Sequence, residues 1–524
     1  MRCFCMVYFL QKYLFCHGNI KKGNSEPGGQ SFPRNGGTMV FNSYSFLLFF
    51  PVVLILVNIL PVKWRNGLLL LASYLFYASW GKRYCVLLLF VTGVVYGAGL
   101  LLEKKHQKGV FLLGLLGALG GLLLYKYANF VLSTGNTLLQ TLGLGQPLPV
   151  LCLAMPAGIS FFTFQAAGYL IDVYQGKYPA ERSFLRLALF VSFFPQILSG
   201  PIGRGDQLLP QYEHPQKPTY DQLRHGLLVM TWGFFLKLML ADRAAILVNT
   251  VYGAYKDYAG ICLVFATLVY ALQIYCDFAG YSYMAIGGAG MLGIELPKNF
   301  DTPYFAQSVQ EFWRRWHISL STWFRDYVYF PLGGSRCSKI QKYRNIFIVF
   351  LVSGLWHGAM WSFVLWGAIH ALYQILGSLT KPAREQALNA LHVNRDSGSY
   401  RVFRMLCTFL LVDFAWLFFR AEGLGNAFAM LRWMFTELRP TELVGEAFYT
   451  MGLDRPDFWA MLVFTGVLVL VDVLRYRGVN LWGWYQKQNW LFRELGLAAV
   501  MLLIVTYGVW GNGFDASSFI YFKF

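Results

Sequence analysis

His317 lies in Phe312-Trp313-Arg314-Arg315-Trp316-His317-Ile318-Ser319-Leu320, and His357 lies in Val352-Ser353-Gly354-Leu355-Trp356-His357-Gly358-Ala359. Both are imidazoles in strongly apolar surroundings. An ionisable side chain is costly to hold at membrane depth, so its presence there marks a place of chemistry or of passage. Desolvation favours the uncharged imidazole, and an uncharged imidazole accepts a proton from a hydroxyl. The chemistry these two residues suit is proton transfer in a dry site.

Their spacing to other polar groups sharpens this. If 308–328 is one helix, Arg314, His317, Ser321 and Arg325 fall three, four and four residues apart and share a face. Trp313, Trp316, Leu320 and Phe324 then form an adjoining apolar face, and Pro331-Leu332-Gly333-Gly334 stops the element. Two readings fit the pattern. One is an interfacial helix, with tryptophans at headgroup level and arginines on lipid phosphate. The other is an anionic site whose arginines hold the phosphates of a nucleotide-bearing donor.

Ser353, His357 and Trp361 make a second stripe at i, i+4 and i+8, while Gly354 and Gly358 permit close helix approach around the histidine. His357 is therefore either a neutral imidazole bonded to a neighbouring helix or a general base in a dry channel. His370 falls on roughly the opposite side of the same element and reads as structural or interfacial. Gln273 and Asp277 stand one turn apart in another apolar run; the buried carboxylate needs a partner, and one of the arginines above is the expected one. Asn299, Asp301 and the Arg325-Asp326 pair add polar groups near the interface, with Asp326 as a helix-end or salt-bridge residue.

The elements that must position these groups are membrane helices. Of 524 residues, 56% are hydrophobic, 18% aromatic and only 13% charged, a composition that excludes a soluble globular protein. Apolar stretches run at about 44–61, 67–80, 85–102, 109–127, 150–172, 183–200, 226–250, 259–280, 345–377, 403–419, 458–475 and 493–510. The fold class is all-α and polytopic. The stretch at 183–200 ends in Phe194-Pro195-Gln196 and Ser199-Gly200-Pro201, which predicts a broken or re-entrant piece; 345–377 holds one long tilted span or two short ones.

Lys and Arg outnumber Asp and Glu by 44 to 26, giving a net charge of +18. The basic residues are scattered over short loops. They therefore point to cytoplasmic loop charge and anionic membrane lipid as partner, and not to nucleic acid. Nine cysteines include no Cys-x-x-Cys pair, so neither a zinc site nor a disulfide framework is expected. Soluble-enzyme motifs (a G-x-S-x-G elbow, a P-loop, H-E-x-x-H) are absent. Residues 1–38 read as a leader upstream of a natural start at Met39, with 39–524 as a single membrane-embedded domain.

The same residues carry a family likeness. The run from Glu311 to Tyr327, followed by Pro331-Leu332-Gly333-Gly334, and the run Gly354-Leu355-Trp356-His357-Gly358-Ala359 resemble the two signatures of the membrane-bound O-acyltransferase superfamily, in its bacterial alginate O-acetyltransferase-like branch. Gly158 to Gln165, Asp277-Phe278-Ala279-Gly280-Tyr281-Ser282 and Phe519 to Phe524 are similar as well.

The resemblance implies about eleven transmembrane helices plus re-entrant pieces around a central tunnel. It implies acyl transfer to a hydroxyl, with His357 as principal catalytic residue and His317 as the second histidine. It further implies no bound cofactor, acetyl-CoA or another acyl thioester as donor, an extracytoplasmic polysaccharide as acceptor, an esterase-like partner protein and residence in the cytoplasmic membrane. Arg314 and Arg325 become donor-side anchors, with Ser321 and Asp277 as further binding groups and Trp316, Trp356 and Trp361 as walls. Tyr283 and Lys298 stand where relatives commonly carry acidic residues, which bears on acceptor and partner. The rivals are D-alanyl transfer from a carrier protein to teichoic acid, a proton-coupled transporter and a non-catalytic scaffold.

Overall fold

The computed structural model describes residues 38–144, 147–444, 446–510 and 519–520. The expected leader at 1–38 lies, but for its last residue, outside them. Among the described residues the chain is helical and contains no β-strand. Seven helices among the described residues are long and apolar enough to cross a bilayer: Lys82–Lys104, Lys108–Thr141, Gly260–Met291, Trp361–Leu379, Gly398–Arg420, Arg455–Tyr476 and Trp490–Tyr507. That is fewer than the eleven or so implied by the resemblance. Part of the difference lies in apolar stretches that stop or break short of the ~20 residues a bilayer needs. Tyr44–Ile59 is 16 residues long, and 183–200 breaks into Phe184–Ser192 and the single turn Phe194–Ile197, as its Pro and Gly content predicts.

Gly260–Met291 is the centre of the molecule, with 72% of its most apolar window buried, whereas only 6% of the Trp490–Tyr507 window is. The central helix reaches its neighbour Tyr220–Phe234 through facing glycines. A Cβ on Gly226 would meet the Gly287 carbonyl at 2.6 Å, and one on Gly233 would meet the Gly280 carbonyl at 2.7 Å. Both pairs repeat every seven residues, so one seam is kept narrow over two turns.

The stretch 345–377 folds as two helices, Lys339–His357 and Trp361–Leu379, joined by an extended turn at Gly358. The hairpin closes on glycine: a Cβ on Gly354 would collide with the Phe363 carbonyl, and one on Gly367 with the Phe350 carbonyl. The small pair that matters here is Gly354 with Gly367, across the hairpin. Gly358 has a different neighbour, the Phe363 ring, which fills the space its side chain would need.

Candidate active site

The segment 308–328 is two short helices and a π-turn, not one helix: Val309–Arg315, Ile318–Phe324 and then Arg325–Tyr329. Ser308 caps the first by accepting from the Glu311 N–H at 3.1 Å. His317 occupies the gap in a left-handed conformation, φ 44°. Residues 299–301 hold the gap open. The Asp301 N–H donates to the Arg315 carbonyl, and the Ile318 N–H to the Asn299 carbonyl, each at 2.9 Å. The Asn299 side chain accepts from the Ser319 hydroxyl at 2.9 Å and donates to Ser282 at 3.0 Å. A continuous helix would have offered His317 on a face; the break turns it inward, where it is fully buried.

His357 ends its own helix and is also buried. The two imidazole centroids are 6.3 Å apart. Trp356 lies beside both, 5.7 Å from His317 and 5.0 Å from His357. Phe278 meets His317 edge-on at 4.5 Å, and Trp366 and Phe419 meet His357 at 5.1 and 5.4 Å. Trp316 is buried one layer further out, against Phe300, Phe312 and Trp416. His370 is buried in the same aromatic cluster and accepts a 3.2 Å hydrogen bond from the Trp313 indole N–H, a structural role.

The break also redistributes the polar residues expected on one face. Arg314 is exposed, away from the histidines; its neighbour Arg315 is the one that knits the segment, pairing with Glu311 at 2.9 Å and donating to the Asp301 carbonyl at 3.2 Å. Ser321 spans the gap, its hydroxyl donating to the Trp316 carbonyl at 3.2 Å. Trp361 is corrected as well: the helix ends at His357, so the i, i+4, i+8 stripe does not continue. Trp361 is 51% exposed and packs on Phe130 at 5.4 Å. Asp277 finds a lysine instead of an arginine. Lys237 Nζ lies 2.7 Å from its carboxylate and 2.8 Å from that of Asp242, and the Ile520 N–H donates to Asp277 at 2.8 Å. Arginine side chains lie elsewhere because the carboxylate turns toward the Tyr220–Gly253 side of the central helix.

Arg325 does face a cavity. A pocket of about 290 Å³ is lined by Ile318, Ser319 and Thr322, which follow His317 in sequence, and by Lys177, Arg204, Lys298, Arg325, Asp172, Asp206 and Asp326. Arg325 pairs with Asp326 at 2.7 Å, and Arg204 with the other oxygen of the same carboxylate at 2.9 Å. Arg204 also covers the ring of Tyr327 at 4.4 Å, and the Tyr327 hydroxyl donates to Asp172 at 2.6 Å. The lining sets Lys177, Arg204, Lys298 and Arg325 against Asp172, Asp206 and Asp326, and Lys177 and Lys298 are paired in turn with Asp172 and Asp301.

Three residues escaped the sequence analysis: Arg204 in this pocket, Lys237 in the buried ion cluster, and Lys126, whose ammonium reaches the end of the His357 helix. Lys126 and Lys237 each sit within an apolar run, the very signal that singled out the histidines.

Residues 180–406 match the membrane-bound O-acyltransferase family, a range that contains both histidines and most of the pocket. Along most of its length the chain is 39% identical to the probable alginate O-acetylase AlgI of Pseudomonas aeruginosa, over 442 residues covering 82% of each protein. This chain belongs to the membrane-bound O-acyltransferase family. It is also 34% identical to a peptidoglycan O-acetyltransferase of Helicobacter pylori over 76% of this chain and 80% of that one. A teichoic acid D-alanyltransferase of Streptococcus thermophilus is 31% identical over 48% of this chain and 66% of its own length. It is a multi-pass membrane protein and an O-acyltransferase.

Proposed function

We propose that this acyltransferase moves an acetyl group from a cytoplasmic thioester donor, such as acetyl-CoA, to a hydroxyl of a polysaccharide beyond the cytoplasmic membrane, directly or through an esterase-like partner protein. The observation that carries the reading is the pair of buried histidines, drawn from two separate helix breaks to within 6.3 Å, with a polar pocket lined by Ile318 and Ser319, the residues next to His317 in sequence. Relatives that align over the largest share of the chain bear O-acetyltransferase names, which favours acetyl over D-alanyl transfer.

In this mechanism the pocket's Arg204 and Arg325 hold the anionic part of the donor while its thioester reaches toward His317. His357 takes the proton of the acceptor hydroxyl as its oxygen attacks the thioester carbonyl. The carbon–sulfur bond then breaks, and the proton passes from the imidazolium to the departing sulfur, giving ester and thiol. His317 and Trp356 align the thioester; most of the acceleration comes from alignment and water exclusion, because a thioester is already activated.

The test uses purified protein in nanodiscs with radiolabelled acetyl-CoA and a soluble polysaccharide acceptor. Wild type should form labelled ester and His357→Ala should not. Equal ester formation by both would sink the assignment of His357. Label transferred only from a D-alanyl-loaded carrier protein would favour that donor instead.

A further inference from the structure

Lys126 lies in the 34-residue apolar helix Lys108–Thr141, where an ammonium without partners would be costly. Over Leu123–Tyr127 this helix widens into a π-turn. Such bulges recur at functional sites because the extra residue re-aims side chains. Here Lys126 Nζ lies 2.6 Å from the Trp356 carbonyl, 3.1 Å from the His357 carbonyl and 3.3 Å from the Ser160 hydroxyl. The Tyr127 hydroxyl donates to the Leu355 carbonyl at 2.8 Å. One dipeptide on one helix thus holds three consecutive carbonyls on another.

Those carbonyls form the last turn of Lys339–His357. The final carbonyls of a helix lack partners within it, and its negative dipole end favours a cation. His357 is the terminal residue, and beyond it the backbone runs extended at Gly358, φ −163°. A terminal residue frays unless its carbonyl is held. Gripping any other turn would steady the helix equally well; this contact grips the histidine itself.

We propose that Lys126 is a positioning residue for acyl transfer. Together with Tyr127 it pins the end of the His357 helix and so fixes the imidazole beside His317. The inference rests on the reading of His357 as the base. Ser160, the third acceptor, belongs to the Ile159–Tyr174 helix, whose Phe161 packs on Trp356 at 5.3 Å and faces His317 at 6.2 Å. The ammonium therefore ties together three helices at the point where both histidines converge.

The experiment compares wild type, Lys126→Met, Lys126→Arg, Tyr127→Phe and His357→Ala in nanodiscs, measuring kcat, donor KM and thermal unfolding for each. Lys126→Met should lower kcat by about 10- to 100-fold at unchanged donor KM, the scale expected when a reacting group is slightly misplaced. Lys126→Arg should restore most of the loss, and Tyr127→Phe should show a smaller fall. A Lys126→Met kcat equal to wild type beside an inactive His357→Ala overturns the positioning role. A raised donor KM with kcat kept overturns it as well. Should Lys126→Met fail to fold, Tyr127→Phe decides: lowered kcat at unchanged melting temperature supports the role, and unchanged kcat removes it. A fully active His357→Ala defeats the underlying reading separately.

Discussion

At Trp316–His317 the chain breaks a helix from within, whereas at His357 it lets a helix run out. The first break needs a backbone conformation that residues other than glycine seldom adopt, φ 44° at His317. Backbone hydrogen bonds, accepted by the Asn299 carbonyl and donated by the Asp301 N–H, compensate for it. The second break needs no such conformation; it needs the extended Gly358 and an ammonium on the orphaned carbonyls. His317 starts the helix that follows it, its carbonyl accepting from the Ser321 N–H at 2.9 Å, while His357 closes the helix that precedes it. An imidazole at a helix end projects beyond the regular turns, where residues of several elements meet: Phe278 and Trp356 at His317, Trp366 and Phe419 at His357. An imidazole on a helix face would be packed against the next helix. The two breaks reach one arrangement through opposite local devices, so they should fail differently.

The largest difference is expected in chemistry. His357→Ala should lower acetyl transfer by about 10³-fold, within the range attributed to a positioned general base, with little change in thermal unfolding. An equal loss in His317→Ala at unchanged donor KM would erase the distinction between base and aligner. Next comes the hairpin behind His357. Gly354→Ala forces its Cβ toward the Phe363 carbonyl and should cost about 1–3 kcal/mol of stability, the usual range for overpacking. A chemical-denaturation series in detergent would measure it, and a neutral result would mean the helices can part.

At the other break, His317→Asn should be more stable than His317→Ala by about 1 kcal/mol, because Asn tolerates the left-handed conformation better. Identical melting curves would show that the surrounding hydrogen bonds alone set the break. The smallest effect belongs to Trp361→Ala. Exposed and resting on Phe130, this residue should alter kcat by less than about twofold; a larger loss would place the far side of the His357 turn in the site.

The membrane class, the helical architecture and the burial of the two histidines were legible because apolar runs and isolated imidazoles are local signals. So was the broken piece at 183–200, where proline and glycine interrupt an apolar run. The shared face of Arg314, His317, Ser321 and Arg325 was not, since periodicity assumes an unbroken helix and nothing in the side-chain pattern reports the dihedral angle of His317. The partner of Asp277 was misjudged for another reason: ion pairing joins elements far apart in sequence, and Lys237 lies 40 residues away on a π-turn. Lys126 carried the same signal as the histidines, a charge within an apolar run, but the bulge that re-aims it toward the His357 helix leaves no mark in the residue pattern.

The amide of Ile520 donates to the carboxylate of Asp277 across 243 residues of sequence. During synthesis the central helix therefore enters the membrane long before that donor has left the ribosome. Until it arrives, the buried cluster of Lys237, Asp242 and Asp277 lacks one of its hydrogen bonds, and the aromatic contact between Phe519 and Tyr281, 4.0 Å between centroids, has not formed. The core beside the histidines is thus completed only after the helices between Asp277 and Tyr507 have been synthesised.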